Sequence, residues 1–211
     1  MRMFSGIVAG AFKVRSCTTT NGIQRLVLEL RDLTKNLEIG ASVAVNGVCL
    51  TAVAVEDALV SFEVIQATLN QTNLRFLSPN DYVNVERSAK LGDEIGGHLL
   101  SGHIADVAEV VQARQSAMER SISFIVPEEW RNYFHTKGYI ALDGVSLTIA
   151  SFNHETGVGV VNLIPETLRL TTLQNVQTST LLNFEVDPTT LAVVDSIERL
   201  LESKLAALKT K

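Results

Sequence analysis

His98 and His103 are the first residues in this chain whose type and spacing suggest chemistry. They flank Leu99-Leu100-Ser101-Gly102, at the end of a glycine-rich stretch that starts at Leu91. Imidazole titrates near neutral pH, so either ring can carry a proton in a reaction run there. A metal role is weakly supported. The spacing is not the helical pair of a metalloprotease, and no carboxylate or cysteine cluster accompanies it. The plain structural alternative is a pair of partly buried histidines at a domain junction.

Two further constellations stand out. Asn46-Gly47-Val48-Cys49-Leu50-Thr51 and Asp143-Gly144-Val145-Ser146-Leu147-Thr148 are variants of one pattern. Cys49 can be a nucleophile, a small polar contact or an inert core filler. Ser146 lacks a nucleophile elbow, so a hydrolase triad is not expected. No P-loop, strand-linked G-x-G-x-x-G or zinc Cys pair is present. The third constellation is Leu163-Ile164-Pro165-Glu166-Thr167-Leu168-Arg169, where Glu166 is either a hydroxyl acceptor or a solvated turn carboxylate.

These residues fall on an internal repeat. Ser5-Gly6-Ile7 matches Ser101-Gly102-His103, so His103 replaces an aliphatic residue. Asn46 to Thr51 matches Asp143 to Thr148, Thr68 to Leu74 matches Thr167 to Leu173, and Val83 to Glu86 matches Leu182 to Glu185. The offsets are 96, 97, 99 and 99 residues. Such a period is too long for a solenoid and indicates two homologous domains in tandem.

Each half reads as all-β. Asn46-Gly47 and Asp143-Gly144 sit between apolar runs, the strongest short-range hairpin pattern, because both residues tolerate positive φ. Short strands are expected at Leu59 to Ile65, Val83 to Arg87, Ser121 to Val126, Val158 to Leu163 and Leu181 to Val186. Their spacing suggests a small closed barrel per half, which leaves no exposed sheet edge. Domains are expected at 1–97 and 98–188, with a helix over 189–211. In that helix Leu191, Val194, Ile197, Leu201, Leu205 and Leu208 form one apolar stripe. The stripe packs either on its own barrel or, the reading favoured, on the same helix of other subunits.

Composition narrows the function. The chain has 211 residues, 46% hydrophobic and 19% charged, a globular balance. A formal net charge of -5 argues against non-specific nucleic-acid binding. No apolar run is long enough to span a bilayer, so no membrane association is expected. The N-terminus reads as a strand starting almost at residue 1 rather than a signal peptide. Two cysteines cannot form a disulfide framework, and the default compartment is the reducing cytoplasm.

Taken together, Met3-Phe4-Ser5-Gly6-Ile7-Val8, Gly-Gly-His-Leu-Leu-Ser-Gly-His at 96–103, Asp-Gly-Val-Ser-Leu-Thr at 143–148 and Leu-Ile-Pro-Glu-Thr-Leu at 163–168 resemble the riboflavin synthase family. The resemblance covers nearly the whole chain. It implies two six-stranded Greek-key barrels and a C-terminal helix that holds a homotrimer. It implies an active site between the N-barrel of one subunit and the C-barrel of a neighbour. The implied reaction is dismutation of two 6,7-dimethyl-8-ribityllumazine molecules, giving riboflavin and 5-amino-6-ribitylaminouracil. No cofactor or metal is implied, and lumazine synthase is an implied partner.

Carried over by position, the resemblance makes His103 the proton-transfer residue with His98 in support. Ser146 and Thr148 would position and polarise one pteridine, oriented by Asp143. Cys49 would act at C7 of the other, in a pocket lined by Ser42 and Thr51. Glu166 and Thr167 would hold ribityl hydroxyls, next to Ile164. Phe4 would cover the site, with Ser5, Gly6, Ile7 and Gly102 as further contacts. One departure is visible inside the repeat: the first half reads Gln66-Ala67-Thr68-Leu69-Asn70, without the carboxylate, so ribityl binding in the N-barrel is either lost or done by Gln66 and Asn70. The competing reading is a non-catalytic lumazine- or flavin-binding protein. The histidines at 98 and 103 and the long helix speak against it, since the lumazine proteins lack them. A two-barrel structural module with no ligand leaves the polar residues of the hairpins and junction unexplained.

Overall fold

The structure, a computed structural model, describes residues 3–116 and 119–209. The first barrel contains β1 (Gly10–Thr20), β2 (Ile23–Glu29), β3 (Ser42–Val45), β4 (Val48–Glu56), β5 (Leu59–Ile65), the short helix α1 (Gln66–Gln71) and β6 (Tyr82–Arg87). The second contains β7 (Asp106–Gln115), β8 (Arg120–Ile125), β9 (Tyr139–Leu142), β10 (Val145–Asn153), β11 (Val158–Leu163), the short helix α2 (Pro165–Leu170) and β12 (Leu181–Val186). Each barrel closes through six antiparallel strands, in the order β1-β2-β5-β4-β3-β6 and its counterpart β7-β8-β11-β10-β9-β12.

The sequence explains the closure. Alternation along β4 sends Val48, Leu50 and Ala52 into the first core and leaves Cys49 and Thr51 outside. Along β10, Val145, Leu147 and Ile149 point inward and Ser146 and Thr148 outward. Six strands require tight curvature, supplied by bulges at matching places: Val14/Ser16 and Val110/Gln112, Ala52/Ala54 and Ile149/Ser151. Both interiors are filled with aliphatic and aromatic side chains, so a ligand must use the outer faces.

The barrels meet about a local two-fold. The β3–β4 and β9–β10 hairpins abut at their turns. Asn46, Gly47, Asp143 and Gly144 all have positive φ, as type I′ turns need. A Cβ added to Gly47 would lie 2.8 Å from the Gly144 nitrogen, and one added to Gly144 equally close to the Gly47 nitrogen. Only glycine permits that approach. Phe4 and Leu100 exchange backbone hydrogen bonds of 2.9 Å and pack with Ala44 and Ala141 as a small apolar core on this axis.

Residues 3–8 do not begin a barrel strand, contrary to the sequence expectation. They run across the junction, and β1 starts only at Gly10. Val8 drops into the second core, and Ile104 in the equivalent segment packs against the first.

The C-terminal helix α3 spans Pro188–Lys209. Asp187 caps it, its Oδ1 accepting from the Thr190 backbone N–H at 2.8 Å and from Thr190 Oγ1 at 3.0 Å. Pro188 suits the first helical position. The helix packs in part on its own barrel, the first of the two expected arrangements. Its first half docks on its own barrel through Leu191, through Tyr133 Oη donating to Asp195 Oδ1 (2.7 Å) and through Asn132 donating to Glu198. On the stripe itself Ile197, Leu201, Leu205 and Leu208 are left exposed. Among the described residues no helix is long and apolar enough to cross a membrane.

Candidate functional site

Two outer faces carry the polar residues singled out in the sequence. On the second barrel, His98 Nδ1 lies 2.7 Å from Ser146 Oγ. The His98 ring stacks on Tyr139 at a centroid distance of 5.1 Å. Tyr139 is the cross-strand neighbour of Thr148. His98 is buried, and that burial lowers its pKa below the ordinary imidazole value. A neutral ring can accept the Ser146 hydroxyl proton at Nδ1 and keep a proton on Nε2, which is buried with no protein partner. Gly97 permits this contact, since a Cβ there would come within 2.9 Å of Ser146 Oγ.

On the first barrel, Cys49 and Thr51 occupy the positions equivalent to Ser146 and Thr148. Ser42, the cross-strand neighbour of Thr51, is buried and replaces Tyr139 of the other half. Cys49 is a half-buried free thiol.

The crossing segments tie each face to the other barrel. Glu86 of β6 accepts from the Ser5 backbone N–H (2.6 Å), Ser5 Oγ (2.7 Å) and the Gly6 N–H (3.0 Å). Glu185 of β12 does the same for Ser101 and Gly102, at 2.7, 2.7 and 3.0 Å. So held, the Gly6 carbonyl accepts from the Ser146 backbone N–H at 2.9 Å, and the Gly102 carbonyl from that of Cys49 at 3.0 Å. Burial pushes both glutamate pKa values up, and the hydrogen bonds from the clamped segments oppose the rise.

The structure separates the two histidines. His98 sits on Ser146, while His103 is exposed, with no hydrogen bond to Ser146 or His98. It lies one residue beyond the Gly102 carbonyl that meets Cys49, and its charge lowers the Glu185 pKa. Ile7, its counterpart in the repeat, is exposed beside Gly96.

Two expectations need correction. Asp143 does not orient Ser146 or Thr148. It is buried between the barrels, and its Oδ1 accepts from the Asn183 backbone N–H and from Asn73 Nδ2, both at 2.8 Å. Burial raises its pKa to about 7. Asn46, Asn84, Asn73 and Asn183 complete that network, with Asn84 donating to the Asp143 carbonyl and Asn183 to the Asn46 carbonyl. Phe4 does not cover a site. It is 1% exposed and locked in the axial core beside Cys49.

The polyol-binding candidates lie on the short helices α1 and α2 or just before them. Glu166 is exposed and makes a bidentate pair with Arg169 (2.6 and 2.9 Å), whose hydrogen bonds hold its carboxyl below the usual range. Thr167 is half-buried, its carbonyl accepting from Thr171 Oγ1 at 2.7 Å. Ile164 is exposed. In the first barrel, Gln66 Nε2 donates to Asn70 Oδ1 at 2.8 Å.

Sequence reasoning missed Tyr139, the Glu86 and Glu185 clamps, and the asparagine network. A signal for the last two was present. Asn84-Val85-Glu86 and Asn183-Phe184-Glu185 repeat a polar face on strands that are otherwise apolar. Tyr139 had only its place opposite Thr148. Among the described residues no group of three or more metal-ligating side chains gathers.

A family model for the lumazine binding domain matches the chain twice, over residues 5–88 and 101–187. The riboflavin synthase of Escherichia coli (strain K12) is 44% identical over 208 residues, covering 98% of this chain and 97% of that protein. The riboflavin synthase of Chlamydia pneumoniae is 39% identical over 202 residues, covering 95% and 98%. Among solved structures, LumP complexed with riboflavin aligns with a TM-score of 0.81 at 26% identity. LumP complexed with 6,7-dimethyl-8-(1'-D-ribityl) lumazine aligns with 0.78 at 25%. Both alignments cover 87% of this chain and 98% of the other. The chain therefore belongs to the riboflavin synthase family, as two lumazine binding domains in tandem followed by one long helix.

Proposed function

We propose that this chain catalyses the dismutation of 6,7-dimethyl-8-ribityllumazine, one molecule bound on an N-barrel face and one on a C-barrel face. The observation that carries this reading is the His98–Ser146 pair on the outside of a closed barrel. It places a proton acceptor beside a hydroxyl at the position where the other barrel presents Cys49. The C7 methyl of the lumazine is acidic because the ring delocalises the resulting anion. The neutral His98 ring, acting through Ser146, takes that proton, and Thr148 with the Ser146 hydroxyl stabilises the negative ring. Cys49 acts at C7 of the second pteridine, with Ser42 and Thr51 lining its pocket and His103 moving protons at that face. Four carbons pass from one ring to the other. Riboflavin and 5-amino-6-ribitylaminouracil together contain every atom of the two substrates, so no external oxidant is required.

Holding two copies of one substrate face to face converts a bimolecular step into a local one, a large part of the acceleration. Both faces lie open on the surface of the single chain, so each needs a partner. The exposed stripe on α3 suits a homotrimer in which the N-barrel of one subunit meets the C-barrel of the next. On this reading the domains are 1–97, 98–188 and an oligomerisation helix over 189–211. The protein works in the cytoplasm, where lumazine synthase, the source of its substrate, is a candidate associate.

The test is purified protein with 6,7-dimethyl-8-ribityllumazine, following riboflavin in the visible. Riboflavin formed without added cofactor or metal is the expected result. Tight lumazine binding without turnover would instead make this a ligand-binding protein.

A further inference from the structure

Residues 5–6 and 101–102 are one device built twice, and each copy works across the junction between the barrels. Ser5 Oγ accepts from the Ile7 N–H and Ser101 Oγ from the His103 N–H, both at 3.2 Å. Gly6 and Gly102 sit inside these turns with φ of 74° and 77°. A Cβ added to Gly6 would overlap Ser146, and one added to Gly102 would overlap Cys49. Only glycine lets the two segments lie so close to the functional side chains.

Each segment is gripped by the barrel that does not carry the face it touches. Glu86 belongs to β6 of the first barrel, yet the segment it holds lies against Ser146 of the second. The same segment lies against Gly97, whose neighbour His98 pairs with Ser146. Glu185 belongs to β12 of the second barrel, yet its segment lies against Cys49 of the first. Both oxygens of each carboxylate are used, one accepting two hydrogen bonds and the other one. An ionised carboxylate suits this because it only accepts. A carboxamide of the same size would either turn a donor toward a backbone N–H or lose one of these bonds.

We propose that Glu86 and Glu185 are crossed positioning residues: Glu86 of the N-barrel sets the His98–Ser146 pair of the C-barrel face, and Glu185 of the C-barrel sets Cys49 on the N-barrel face. They act through the backbone of the crossing segments. The consequence of Glu86 for catalysis rests on the reading that His98 and Ser146 take the C7-methyl proton. The consequence of Glu185 for Cys49 rests on the geometry alone.

The test is a pair of readouts on the full-length chain, one for each face. Exchange of the C7-methyl protons of 6,7-dimethyl-8-ribityllumazine for deuterium, followed by NMR, reports on His98 and Ser146. Alkylation of Cys49 by iodoacetamide reports on the other face; it is run without substrate in a Cys17→Ser background, which leaves one cysteine. Glu86→Gln should slow the protein-catalysed exchange by about tenfold or more, because small displacements of reacting groups are costly, and leave alkylation within about twofold. Glu185→Gln should loosen the segment over Cys49 and speed alkylation by about tenfold, with exchange within about twofold. Ser5→Ala and Ser101→Ala each delete one of the three bonds to a carboxylate. They should give the same crossed pattern at about threefold, and they decide the question if a glutamine variant does not fold. The reverse pattern, or either substitution moving both readouts alike, would overturn the proposal. An unaltered chain that does not accelerate methyl exchange would refute the functional reading instead, and the alkylation rates would still decide the role of Glu185.

Discussion

The two barrels have the same strand order, the same bulges and the same hairpin turns, yet their outer faces are chemically unlike. The C-barrel face has His98, Ser146, Tyr139 and Thr148, and α2 of the same barrel carries the Glu166–Arg169 pair. The N-barrel face has Cys49, Ser42 and Thr51, and α1 of that barrel carries Ala67 and a neutral Gln66–Asn70 pair. Inward positions stayed apolar in both halves because each core must remain close-packed. Outward positions were free to diverge. A duplicated domain can therefore offer two related sites whose outer faces differ in chemistry while their cores stay alike.

The sharpest way to break this difference is to erase the acid–base pair. Ser146→Ala or His98→Ala should lower kcat by about a thousandfold, within the usual range for general acid–base groups, and the two together should cost little more than either alone. Steady-state rates of riboflavin formation check this. In the unaltered protein kcat should fall as pH drops through the depressed His98 pKa, because the protonated ring no longer accepts the Ser146 proton.

The next largest effect concerns Asp143, whose counterpart is Asn46. Its carboxyl keeps its proton up to about pH 7 when folded and loses it near 3.8 when unfolded. The folded state thus binds the extra proton within that window, and stability falls as pH rises through it. The loss attributable to Asp143 is on the order of 4 kcal/mol at most. Asp143→Asn keeps an acceptor for Asn73 and Asn183 and should flatten the decline. Urea midpoints between pH 4 and 8 would show the two curves diverging, with the variant more stable at pH 8.

Gly144→Ala tests the contact that brings the faces into register. The added Cβ meets Gly47 at 2.8 Å in a left-handed backbone conformation. A loss of about 3 kcal/mol is expected from strain and separation of the hairpins, read as a lower melting temperature. Tyr133→Phe is the mildest test. It deletes one hydrogen bond between α3 and its own barrel and should cost about 1 kcal/mol.

Much of this was legible in the sequence. The repeat, the Asn46-Gly47 and Asp143-Gly144 hairpins and the helix stripe are local or periodic, and they gave the fold. The outward placement of Ser146 and Cys49 follows from alternation alone. What was not legible depends on crossings. His98 pairs with Ser146 across 48 residues, and Glu86 clamps Ser5 across 81. The role first assigned to Asp143 failed because nothing local says that its hairpin turn is buried against a second one. The covering role of Phe4 came only from its position in the resemblance, whereas the side chain fills the axis between the two barrels.

The most direct test of the central claim, that one N-barrel face and one C-barrel face of different chains make one reaction centre, is complementation. Ser146→Ala and Cys49→Ala chains are unfolded together, refolded as a mixture and assayed for riboflavin. If centres form between chains, random assembly gives about one centre in four with both faces unaltered, and activity should return to roughly a quarter of that of the unaltered protein. If the mixture is no more active than the better of the two variants alone, each centre is made within a single chain and the claim is wrong.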